Sequence, residues 1–139
     1  MSVSNQARAL GQYQSVGTYS AVSAADKLRL VQLMMQGSRD RIAQAKSHMR
    51  RGEISAKGEQ ISRAIALVDG LRASLDEGEG GQIAQNLENL YVYMIRRLLT
   101  ANLNDDEAAL DEVANLMTEL QDAWKGVLDQ SHEVMSEAS

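Results

Sequence analysis

The stretch Gln85-Asn86-Leu87-Glu88-Asn89-Leu90-Tyr91-Val92-Tyr93-Met94-Ile95-Arg96-Arg97-Leu98-Leu99-Thr100-Ala101-Asn102-Leu103 decides the fold. With Ile83 just before it, Leu87, Leu90, Met94, Leu98 and Ala101 form a stripe at helical spacing. The spacing predicts a helix over about residues 82–103. At about 100° per residue, Val92, Leu99 and Leu103 fall roughly opposite that stripe. A bundle helix normally needs one apolar face, with charge on the other side. This segment therefore carries a second apolar patch.

Glycine and polar clusters divide the rest of the chain into further segments. A helix is expected from about Lys27 to Arg50, with Leu28, Val31, Met35, Ile42, Ala45 and Met49 inward. Asp26 is a candidate N-cap, and Ser23 paired with Asp26 in a capping box is the competing reading. Arg50 and Arg51 suit the negative end of the helix dipole, and Gly52 is a natural stop. This helix too has a second patch, made of Leu30, Leu33 and Met34. The next helix is expected over about 53–76, with Ile61, Ala64, Ile65, Val68, Leu71 and Leu75 inward, and Glu77 to Gly81 connects it onward. Asn104 can cap a last helix, with Glu107 three residues on and Asp105 and Asp106 in the first turn. Leu110, Val113, Met117, Leu120, Trp124 and Leu128 line that helix. At the start of the chain, Val3, Ala7, Leu10 and Tyr13 recur at helical spacing. Long helices on short connections pack as antiparallel neighbours. The expectation is an all-α single domain over 1–139: an antiparallel four-helix bundle (26–128) with a short additional N-terminal helix in a cap segment (1–25) and a frayed tail (129–139).

Composition agrees. Proline and phenylalanine are absent and unbranched helix formers are common. The chain has 139 residues, 44% of them hydrophobic, enough for one packed core. The absence of cysteine removes disulfides, thiolate nucleophiles and cysteine metal sites. No apolar run approaches the roughly 18 residues that span a bilayer, and Met1 to Tyr13 lacks a signal-peptide core. A net charge of −5 argues against nucleic acid.

Chemistry is sparse. Of the two histidines, His48 lacks a partner carboxylate three residues before it, and His132 with Asp129 lies near the chain end. Both read as solvated side chains rather than metal ligands. Gly78, Gly80 and Gly81 are not followed by the Lys-Ser or Lys-Thr of a phosphate loop. Arg96 and Arg97 read first as a solvated, ion-paired face and second as an anion clamp. No enzyme activity, metal or cofactor is expected. Asn86, Tyr91, Tyr93 and Asn102 are polar groups near the core stripe. They either bond backbone groups in neighbouring loops or, for Asn86 and Tyr91, bond the backbone of a bound peptide.

The two second patches together hold six apolar side chains, worth about 9–18 kcal/mol of gross burial at roughly 1.5–3 each. Surface of that kind invites a cover. Three covers are open: the short N-terminal helix or a wide core, an amphipathic segment of another chain, or a second copy in a homodimer.

The quoted stretch closely resembles the signature of the flagellar secretion chaperone (FliS) family: an Asn-Leu, then Leu-Tyr-x-Tyr-Met, then a Leu and Ala-Asn. Ala64 to Val68 and Gly70 to Asp76 resemble the family's third helix, Asp122-Ala123-Trp124-Lys125 its closing Ala-Trp, and Tyr13-Gln14-Ser15-Val16 its N-terminal tyrosine segment. The resemblance covers about residues 7–128. The helix over 27–50 departs from it: Asp26-Lys27 stands where the family usually has Ser-Pro, and Met34-Met35-Gln36-Gly37 where it has Leu-(Tyr/Phe)-Asp-Gly. The resemblance implies a cytoplasmic protein that binds the disordered C-terminal segment of flagellin, prevents premature polymerisation and presents it to the export gate. A groove between the helices over 27–50 and 82–103 is the expected site, with Leu30, Leu33, Met34, Val92, Leu99 and Leu103 as apolar contacts and Asn86, Tyr91 and Asn102 as polar ones. Leu10 and Tyr13 fall in the segment that the resemblance implies covers the groove and docks the gate.

Overall fold

The computed structural model describes residues 23–75 and 81–138. Four helices follow one another: α1 (Ser23–Arg50), α2 (Ile54–Ala73), α3 (Gly81–Asn104) and α4 (Glu107–Ala138). Each packs on the helix before it, and α4 returns to α1, while the diagonal pairs α1/α3 and α2/α4 bring no Cα atoms within 8 Å of each other. The result is the expected antiparallel four-helix bundle. The expected N-terminal helix, with Leu10 and Tyr13, lies outside the described residues.

The turns explain the order. At the end of α1, Gly52 takes the left-handed φ of 69°. The Glu53 amide then donates to His48 O (2.9 Å) and the Gly52 amide to Met49 O (3.2 Å), the paired bonds of a Schellman stop. The stop after α3 is built the same way without glycine: Asp105 holds φ 49°, and the Asp106 amide donates to Ala101 O at 3.1 Å. Asp106 also caps α4, its Oδ1 accepting the Ala109 amide at 3.1 Å. This corrects the assignment of Asn104 as the cap: Asn104 is the last residue of α3, because the chain reverses one residue later. At its other end, α4 continues through the expected frayed tail to Ala138, with no glycine or proline after Gly126 to stop it.

The core follows the predicted stripes. Met35, Ile42 and Ala45 of α1 meet Ile61, Ala64, Val68 and Leu71 of α2. Met94, Leu98 and Ala101 of α3 and Leu110, Val113 and Met117 of α4 complete it. The α1–α2 pair is the closest. A Cβ on Gly37 would lie 3.2 Å from Leu67 Cδ1, and one on Gly70 would lie 3.1 Å from Met34 Sδ. Met34 is therefore buried in this seam, although its angular position on α1 suggested an outward patch. The two glycines draw the helices so close that the seam widens and encloses it.

The seams that α4 makes are polar at their edges. Lys46 reaches Asp111 (2.7 Å), Arg50 reaches Glu107 (2.9 Å) and Arg39 reaches Gln121 (2.6 Å). On the other flank Tyr93 Oη donates to Glu112 at 2.7 Å and Arg97 Nε at 2.6 Å. Arg97 is thus ion-paired within the bundle, as its first reading had it.

Candidate functional site

With the core stripe of α3 buried, the outer side chains of that helix are left over. Leu99 is 54% exposed, Leu103 83% exposed and Val92 half-buried. Their side of the bundle follows from the polar contacts. Tyr93 and Arg97 point to Glu112 on α4, whereas Glu88 and Asn102 point to α2, through Arg72 (3.1 Å) and Lys57 (3.0 Å). At about 100° per residue, Val92, Leu99 and Leu103 then lie on the outer surface toward α2. Half-buried Ile65 and Ile54, 72% exposed at the start of α2, belong to the same side. Neither isoleucine was read as part of a site; their angular position relative to α3 is fixed only by the packing.

On α1, Leu33 is 63% exposed, Leu30 is half-buried against the core and Met34 is buried. Because α1 and α3 are diagonal, with α2 packed against both, α2 lies between these residues and the α3 leucines. The expected single groove between the two helices is corrected accordingly: there are two separate apolar faces. Sequence periodicity places a patch on a helix, but it does not say which helices become neighbours.

A third apolar feature lies at the end of the bundle where α1 begins. A cavity of about 360 Å³ opens between Leu28, Val31, Leu75, Leu87, Tyr91 and Trp124. Ile83, expected inward, is 73% exposed because the space it faces is this open chamber. Trp124 braces the opposite wall, its indole N–H donating to Leu28 O at 3.1 Å. Tyr91 is buried, and burial pushes its hydroxyl up to about 12. Asn86 is exposed and accepts from Gln82 at 2.9 Å, within its own helix. Asn102 is half-buried, with its carbonyl taken by Lys57 and its side chain beside Gly58.

The carboxylates near these faces are matched to cations. Hydrogen bonds from Tyr93 and then Arg97 hold Glu112 below the usual carboxylate range, and the same contact raises Tyr93. A hydrogen bond from Arg50 does the same for Glu107. No described helix is long and apolar enough to cross a membrane. The outer face of α3 and the end chamber therefore offer apolar contact area.

Comparison with known proteins bears on what meets these faces. The family model described as flagellar protein FliS matches residues 9–131. A relative from Pseudomonas aeruginosa, flagellar secretion chaperone FliSB, is 46% identical over 120 residues, covering 86% of this chain and 95% of its own. The flagellar secretion chaperone FliS of Salmonella typhimurium is 42% identical over 116 residues, covering 83% and 86%. That of Vibrio cholerae is 35% identical over 123 residues, covering 88% and 90%.

Proposed function

Because this chain belongs to the FliS family of flagellar secretion chaperones, we propose that it binds the disordered C-terminal segment of flagellin in the cytoplasm, blocks premature polymerisation and hands the subunit to the export gate. It is a flagellar export chaperone, and its work is binding rather than catalysis. The observation that carries the flagellin reading is the outer face of α3, where Leu99 and Leu103 stay in solvent although the core beneath them is complete. A helix of the client laid along this face would bury them at roughly 1.5–3 kcal/mol each. Ordering each residue of a disordered tail costs about 1–2 kcal/mol of backbone entropy. Two leucines thus offset the ordering of only a few residues. A tight complex needs a long tail that also uses the end chamber and the Leu33 face. Leu10 and Tyr13 are proposed to act in the N-terminal cap that also docks the gate.

Replacement of Leu99 by aspartate tests the reading. Leu99 is exposed, so Leu99→Asp keeps its helicity and melting temperature, while calorimetric affinity for flagellin falls by more than tenfold, the loss of about 1.4 kcal/mol or more. Wild-type affinity would remove this face from the site. Light scattering of the free protein tests the rival occupant, a second copy. A stable dimer that ignores added flagellin would assign the face to self-association.

A further inference from the structure

The last turn of α3 carries Leu103 but has almost no apolar packing of its own. Core contacts of the helix end at Leu98 and Ala101. Beyond them the turn is held to α2 by one buried cation. Lys57, in the first turn of α2, is 3% exposed. Its Nζ donates to Asn102 O at 3.0 Å and pairs with the Asp105 carboxylate, its single ion-pair partner among the described residues. Both partners matter to the helix end. The Asn102 carbonyl is one of those that a helix leaves without an internal donor, and Asp105 occupies the left-handed position where glycine costs less. Arg50 and Glu53, nearby, are engaged with Glu107 and with His48 and Arg51.

We propose that Lys57 is a positioning residue for the client face: it clamps the final turn of α3 to α2 and so fixes the direction in which Leu103, and Leu99 one turn earlier, present themselves. This inference rests on the proposed flagellin-binding reading of that face. The physical chain is short. Leu103 is held by its backbone alone, so its orientation is only as well defined as the turn. That turn is defined by charge-assisted bonds from a buried ammonium, which has no water to turn to if they are lost, although the Asp105 carboxylate itself reaches solvent. A client helix meeting a frayed turn must order it first, and apparent affinity falls by the fraction of molecules in which the turn is formed.

A double-mutant cycle with full-length protein and monomeric flagellin, read by calorimetry, separates positioning from general stabilisation. Lys57→Met keeps the buried aliphatic stem and is expected to weaken binding roughly tenfold, and Lys57→Arg, which restores donors, to recover most of it. In a Leu99→Ala/Leu103→Ala background, Lys57→Met is expected to have little further effect, because the side chains it positions are gone. Asp105→Asn removes only the charge, at a residue type that tolerates the left-handed turn, and moves affinity in the same direction. It carries the test should Lys57→Met fail to fold. Equal weakening by Lys57→Met in both backgrounds, or unchanged affinity in Lys57→Met or in the substituting Asp105→Asn, would overturn the positioning role. If the leucine pair itself proves irrelevant to affinity, the reading of the face falls and the inference with it.

Discussion

Gly70 shows how much one missing methyl group sets in this bundle. A Cβ there would meet only the thioether of Met34, at 3.1 Å, and methionine can swing aside. Gly70→Ala therefore gains the helix propensity of alanine, about 1 kcal/mol, and loses a comparable amount in moving Met34. Its urea midpoint is expected close to wild type. Gly70→Val adds bulk that Met34 cannot clear and should cost about 1–3 kcal/mol in the same measurement. Tyr91 makes a second residue-scale point. Its hydroxyl is raised from 10.0 to about 12 by burial at the chamber wall. A raised pKa in the folded state means that the neutral form is favoured there. The stability linked to it is complete below about pH 10 and is lost as pH rises toward 12. Tyr91→Phe should flatten the pH dependence of the melting temperature across that window. A dependence as steep as wild type would show that Tyr91 is not the group responsible.

At the scale of the helix, periodicity made the elements and their inward residues legible, and Gly52 marked a true stop. The stripes of Ile61, Ala64, Val68 and Leu71 and of Leu110, Val113 and Met117 are core residues as read. What periodicity could not supply was set by turns and by pairing. Asp105 entering the left-handed region moved the cap of α4 from Asn104 to Asp106, and an Asn-Asp-Asp run offers three cap candidates with nothing local to choose among them. Lys57 carries no signal at all: it reads as one more helix-surface lysine until α3 comes to rest beside it. The cap assignment is directly testable. Asp106→Ala should lower stability by about 1 kcal/mol, in the usual range for a lost side-chain cap. Asn104→Ala, whose side chain caps nothing, should change it by less than about 0.5 kcal/mol. Equal effects in chemical denaturation would contradict the assignment.

For the whole molecule, the diagonal placement of α1 and α3 turns one expected groove into two faces separated by α2. A client that touches both must cross the outer surface of α2, roughly 20 Å for helices spaced 8–10 Å apart, or about six extended residues at 3.3–3.6 Å each. A flagellin fragment too short for that path should bind the α3 face alone, and Leu33→Ala should weaken only the longer fragment. The face on α3 is central to all of this, and methyl-labelled NMR reads it directly. On titration with the flagellin C-terminal segment, the methyl signals of Leu99, Leu103 and Ile54 should shift or broaden, while those of buried Ile61 and Leu110 move little. Unchanged signals from the three exposed residues in a complex that has formed would show that flagellin is held elsewhere.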